Sequence, residues 1–161
     1  MASPVAATRQ NPTLTKMADG FRTYITLTVN PSIEFWEVSV TPPGIDGGEP
    51  TDTTNMHNNL WRTFHARKLI KMDNVVCEAE YNPALYTDIL AVVNVATTIT
   101  VLFPDHSTLA MFGYLKSFKP AALEDGKVPT CSVEFVVTNA DPTTCVEAGP
   151  VYTSASGTGG C

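Results

Sequence analysis

His57, His65 and His106, with Cys77, Cys131, Cys145 and Cys161, are the side chains from which nucleophilic or zinc chemistry would have to be built in this chain. A zinc site needs ligands at short, fixed spacings, and a catalytic nucleophile needs a base within hydrogen-bond reach. The sequence holds no Cys-x-x-Cys pair, no histidine close enough to a cysteine to complete a zinc pattern, no His-Glu-x-x-His, no Gly-x-Ser-x-Gly elbow and no glycine-rich phosphate loop before a helix. Asp105 and His106 are neighbours, but they follow Pro104 in a stretch whose composition is that of a turn. Asp46, Glu49 and Asp52 offer three carboxylates in one loop, at a spacing that does not match the Asp-x-Asp-x-Asp-Gly calcium pattern. We therefore expect no catalytic residues, no cofactor and no metal site. An enzyme whose residues converge from distant parts of the chain is the remaining enzymatic reading.

The elements that would position any functional group are mostly strands. Phe21 to Val29 alternates apolar and polar residues and stops at Asn30-Pro31. Ile33 to Val40 begins with Ile33 and Phe35 on one face and ends with Trp36, Val38 and Val40 on the other, so either a bulge shifts its register or both faces are partly buried. Val75 to Tyr81 alternates again, with Glu78 and Glu80 on the polar face. Thr98 to Phe103, a turn at Pro104 to Ser107, and Thr108 to Phe118 make the clearest hairpin, and Cys131 to Thr138 is a further strand carrying Glu134. A short last strand is expected within Cys145 to Tyr152. The single helical signature is Asn82 to Val93: Asn82 can cap, Pro83 fits the first turn, and Leu85, Ile89 and Val92 recur at helical spacing, with Tyr86 and Asp88 on the wet face.

Between these elements, Thr41 to Asn59 is a long polar loop rich in proline, glycine and threonine with almost nothing to bury, a length that in a compact domain usually has a function. Leu60 to Asp73 returns toward strand character and carries Arg62, Arg67, Lys68 and Lys71, much of the chain's positive charge. Residues 1–20 read as an arm, 21–152 as one domain, and 153–161 as a flexible Gly/Ser-rich tail.

Composition narrows the class. A chain of 161 residues with 43% hydrophobic and 16% charged residues has the make-up of one folded domain and not of a disordered segment. No apolar run reaches the roughly 18 residues of a membrane span, and the N-terminus lacks a secretory signal, so synthesis in the cytoplasm with reduced thiols is expected. The net charge of −6 argues against tight nucleic-acid binding, whose affinity comes from neutralising phosphates.

The order of these pieces resembles the major tail tube protein of long, non-contractile tailed bacteriophages, the siphophage tail tube family. The resemblance runs from about Ile33 to Tyr152. It is carried by Thr41-Pro42-Pro43-Gly44-Ile45-Asp46-Gly47-Gly48 followed by Asp52-Thr53-Thr54, by Glu78-Ala79-Glu80-Tyr81-Asn82-Pro83, by Ile99 to Asp105, by Gly113-Tyr114-Leu115, and by Val133-Glu134-Phe135 with Thr138-Asn139. It implies a mainly β fold: a two-sheet antiparallel sandwich or barrel with one flanking helix and a long loop. It further implies hexameric rings stacked into a virion tail that is assembled in the host cytoplasm. Partners would be other copies of the chain and tail proteins such as the tape measure, tail tip and terminator, with no membrane.

On this reading Pro42, Pro43, Gly44, Asp46, Gly47, Gly48, Glu49 and Asp52 form an inter-ring stacking loop. Glu78, Glu80 and Glu134 are candidates for a lumen that lets DNA pass without holding it, and Arg62, Arg67, Lys68 and Lys71 are candidates for subunit contacts. The alternative is a monomeric β-sandwich serving as a virion decoration or adhesion module, with Thr41 to Asn59 as its binding loop.

Overall fold

Strands with apolar residues at every second position have one face to bury, and the chain satisfies them by wrapping one sheet around one core. The structure, a computed structural model, describes residue 20 and residues 22–155. Of the arm expected over 1–20 only residue 20 is described; of the tail expected over 153–161, residues 153–155 are described and Thr153 belongs to the last strand, while the remainder lies outside the described residues.

The strands are β1 (Tyr24–Leu27), β2 (Trp36–Thr41), β3 (Ile45–Asp46), β4 (Thr51–Asp52), β5 (Phe64–His65), β6 (Lys71–Met72), β7 (Val75–Glu80), β8 (Thr97–Leu102), β9 (Thr108–Pro120), β10 (Thr130–Val137) and β11 (Val151–Thr153). Among the described residues there is one α-helix, α1 (Tyr86–Val92), which follows a 3-10 turn over Pro83–Leu85. The main sheet is antiparallel and runs β1-β8-β9-β10-β7-β2, with β11 pairing the start of β9. The hairpin of β8 and β9 closes through a turn in which Asp105 accepts hydrogen bonds from the Ser107 backbone amide and hydroxyl.

The two ends of this sheet, β1 and β2, come back against each other, so the sheet is curled into a barrel with a seam. Its interior is one cluster of buried side chains, among them Ile25, Phe35, Val75, Cys77, Ile99, Val101, Leu115, Val133 and Phe135. Burying an aliphatic or aromatic side chain of this size contributes about 1.5–3 kcal/mol, which is why alternation settles the register. Phe35 and Phe135 meet edge to face with centroids 6.1 Å apart. Cys77 and Cys131 are buried thiols on neighbouring strands, and burial pushes the Cys77 thiol up to about 12. On α1, Ile89 and Val92 are buried while Tyr86 and Asp88 face solvent, and Asn82 caps the preceding 3-10 turn by accepting a hydrogen bond from the Ala84 amide.

The seam between β1 and β2 is closed by a side chain. Of the two alternatives for this strand the bulge is the one present: the β2–β7 register shifts between Glu37 and Ser39, with Trp36 and Val38 facing outward and Glu37 turning in. The Glu37 Oε1 accepts a hydrogen bond of 2.8 Å from the Ile25 amide of β1. Burial holds this carboxyl above the usual carboxylate range, against the opposing pull of the Ile25 amide. A carboxyl with a raised folded pKa adds stability below its unfolded value, near 4.3, and loses that contribution as pH climbs through the raised value. The Glu37→Gln variant, which keeps the acceptor and drops the charge, is expected to melt above the wild type at pH 7. The gap should close as pH falls toward 4, and melting curves with a gap unchanged between pH 4 and pH 8 would refute it.

Candidate assembly interface

The stretch read as a loop is half of a projecting ribbon. Gly44 lies where the chain leaves the barrel: its carbonyl accepts from the Asp73 amide, and a Cβ there would sit 2.7 Å from the Asp73 carboxylate. Beyond it, β3 pairs with β6 (Ile45 opposite Met72, Asp46 opposite Lys71), and β4 pairs with β5 (Thr51 opposite His65, Asp52 opposite Phe64). The outgoing limb thus carries Pro42, Pro43, Gly44, Asp46, Gly47, Gly48, Glu49 and Asp52, and the returning limb carries Arg62, Arg67, Lys68 and Lys71.

Polar residues build the bends of this ribbon. Asp46 Oδ1 accepts from the amide of Gly48, which takes φ +75°, and Asp52 Oδ1 accepts from Thr54. Those bonds to Thr54 hold the Asp52 carboxyl below its usual range. At the tip, Asn55 and Asn58 bond into the turn and Asn58 Nδ2 donates to the Trp61 carbonyl at 3.0 Å. Two of the three carboxylates that offered a calcium reading, Asp46 and Asp52, are therefore occupied in turn geometry, and among the described residues no group of three His, Cys, Asp or Glu is placed to hold a metal ion. His57 and His65 lie on the ribbon, at its tip and in β5, and His106 lies apart in the β8–β9 turn.

Held in the open by these polar bends is a set of apolar side chains that the sequence pattern did not single out as a surface. Met56 is 99% exposed, Leu60 80% and Trp61 76%, and Ile45, Phe64, Leu69 and Ile70 are exposed with them. Of the ribbon's apolar residues only Met72, at its root, enters the core. Exposed apolar side chains in such number are a feature of interaction surfaces. The available signal was the returning limb itself, where Leu60, Trp61, Phe64, Leu69 and Ile70 follow neither the strand nor the helix period.

A second face bears on the lumen candidates. Glu78 and Glu80 point outward from β7 and Glu134 from β10, with Glu78 opposite Ser132 and Glu134 opposite Val76. All three therefore share one side of the sheet. So do two lysines that the sequence reading passed over: Lys116 lies 3.0 Å from Glu134, and Lys119 is opposite Ser132. Hydrogen bonds from Lys116 and Asn74 hold the Glu134 carboxyl below its usual range.

In sequence the chain matches no protein-family model and no curated protein. In structure it is similar to a chain of the anti-feeding prophage (AFP) baseplate, 6-fold symmetrised, with a TM-score of 0.55 at 10% identity over 82% of this chain and 91% of the other. It is equally similar to a chain from the tail of an empty GTA particle refined with C6 symmetry: TM-score 0.54, 10% identity, 86% of this chain and all of the other. The fold is one found in tails and baseplates. Among the described residues no helix is long and apolar enough to cross a membrane.

Proposed function

We propose that this chain is the major tail tube subunit of a long, non-contractile phage tail, six copies closing a ring and rings stacking into a tube that conducts DNA. The observation that carries this reading is the ribbon: a built, polar-stitched projection that holds Met56, Leu60 and Trp61 in water while the barrel's own sheet ends are closed on each other. Its unpaired strand edges and apolar side chains gain partners only from neighbouring molecules. Pro42 through Asp52 are assigned to contact between rings, and Arg62, Arg67, Lys68 and Lys71 to the same contacts from the returning limb. The tape measure, tail tip and terminator are the heterologous partners. Negative-stain microscopy of the concentrated protein tests the reading: six-fold rings or tubes are expected. Sedimentation showing only monomer at high concentration, even with tail-tip complexes as nucleus, would overturn it in favour of the monomeric module.

For the bore, we assign the outward face of β7 and β10. Its three glutamates against Lys116 and Lys119 leave a net negative charge on each subunit. Repeated around a ring and along a tail, that sign keeps phosphates from being gripped, whereas rows of cations would multiply weak contacts into a stall. Replacing Glu78 and Glu80 by Lys is expected to permit tubes and to slow genome delivery, scored as the delay between adsorption and DNA entry. An unchanged delay would show that this face does not set the sign of the bore.

A further inference from the structure

At the root of the ribbon, Ile45, Leu69, Ile70 and Met72 form one wall of a groove of about 300 Å³ whose other wall is Asn139, Gly149 and Pro150. Its lining is largely apolar, and Lys68 and Glu147 stand at it as the charged residues. Asn139 holds a left-handed backbone (φ +51°), and its Oδ1 is the buried side-chain polar atom left without a hydrogen-bond partner among the described residues. A buried acceptor with no donor is a penalty that an incoming N–H removes, and Asn139 is one of the residues lining the groove.

The ribbon tip carries the matching group. Trp61 is an apolar body with one N–H donor, exposed and followed by Arg62. When tryptophan is buried, its N–H usually finds an acceptor. The groove's wall is the ribbon's own root, and the β4–β5 pair together with the Asn58 bond to the Trp61 carbonyl holds the tip away from it, so a chain does not fill its own groove.

We propose that this groove receives Trp61 of a second copy of the chain. The indole lies against Ile45, Leu69 and Pro150, its N–H meets the Asn139 amide oxygen, and Arg62 comes to Glu147. Knob and groove are different surfaces of one chain, which permits a head-to-tail contact that passes from ring to ring, as stacked rings require. The inference rests on the tube reading and deepens it by naming the seat of the ribbon.

The test uses the full chain. Gly149→Trp fills the groove from a position where an added Cβ meets nothing within 4 Å, and each variant's monomer is checked by its melting curve. A tryptophan anchor in a desolvated pocket sets the expected scale, so Gly149→Trp and Trp61→Ala should each raise the concentration needed for tubes at least about thirtyfold. Trp61→Phe, which keeps the body and loses the N–H, should raise it several-fold in the wild type and not at all in an Asn139→Gly background, which keeps the backbone and removes the acceptor. In a Trp36→Phe chain the remaining Trp61 emission should shift to the blue on assembly. Tubes that form normally from Gly149→Trp, or with Trp61 emission unmoved, overturn the groove while leaving the tube reading intact, with the ribbon seated on another surface or another tail protein. Wild-type chain that never assembles overturns both.

Discussion

Replacing residues 47–70 with a two-residue Asn-Gly turn is expected to leave a folded monomer that makes no tubes at any concentration at which the wild type assembles. Asp46 and Lys71 are already cross-strand partners, so the tight turn closes a hairpin in an existing register. Every residue of the core cluster except Met72 lies outside the ribbon, and Met72 is retained. A shorter closed loop also loses less entropy on folding, by about 0.6 kcal/mol for each halving. The melting temperature should therefore hold or rise slightly while microscopy finds no stacked rings. Tubes of normal length from this variant would mean that the ribbon serves something other than assembly, and a monomer that fails to fold would mean that the ribbon supports the barrel.

Gly113→Ala should be among the most damaging single substitutions in the chain. Gly113 sits in β9 opposite Thr97 of β8 and Val137 of β10, where a Cβ would lie 2.2 Å from the Val136 carbonyl oxygen and 2.8 Å from Ile99 Cδ1. The nearer obstacle is backbone, so relief requires prising β10 from β9. Overpacking that a side-chain rotation can absorb costs about 1–3 kcal/mol, and a backbone collision belongs at or above the upper end of that range. At about 2–4 °C per kcal/mol for a chain of this size, the expected loss is roughly 10 °C or failure to accumulate as soluble protein. Gly47→Ala, where an added Cβ meets nothing within 4 Å, is the matched control and should stay within about 0.5 kcal/mol of wild type. Equal melting temperatures for the two variants would show that the β9–β10 contact is looser than its geometry.

The barrel's strands were legible because burial imposes a period: β7 alternates buried and exposed residues without a break, as do β8 and most of β10. The helix declared itself through Asn82 and Pro83, and the fault in β2 through the switch from Phe35 to Trp36. What sequence did not disclose is the pairing of 41–59 with 60–73, because strands of two residues are too short to carry a period and their partners are named only by the ribbon's geometry. The returning limb reads toward strand character, and Phe64 does lie in β5, yet Leu60, Trp61, Phe64, Leu69 and Ile70 are all exposed because the ribbon has no second layer to cover them. Lys116 is outward on the plain alternation set by buried Met111, Gly113 and Leu115, whereas Lys119 reaches the same face only because the β9–β10 register shifts between Glu134 and Phe135, which no local pattern announces. The turning of Glu37 onto Ile25 depends on a contact between the first two strands that no local pattern announces.

The strand order also fixes a timetable for synthesis. β1 waits for β8, with Tyr24 opposite Leu102, and β7 waits for β10, with Glu80 opposite Thr130, so the barrel has no closed core until residues near Val137 have emerged. Topologies dominated by such distant pairings fold slowly. The ribbon, by contrast, pairs only within 45–72 and is complete far earlier. At about 5–20 residues per second, several seconds of translation separate its completion from that of β10. Throughout that interval the nascent chain displays Met56, Leu60 and Trp61 with no finished body behind them. If the ribbon is the assembly surface proposed above, copies emerging side by side on one message meet ribbon first, and crowding at the polysome is where premature association would begin.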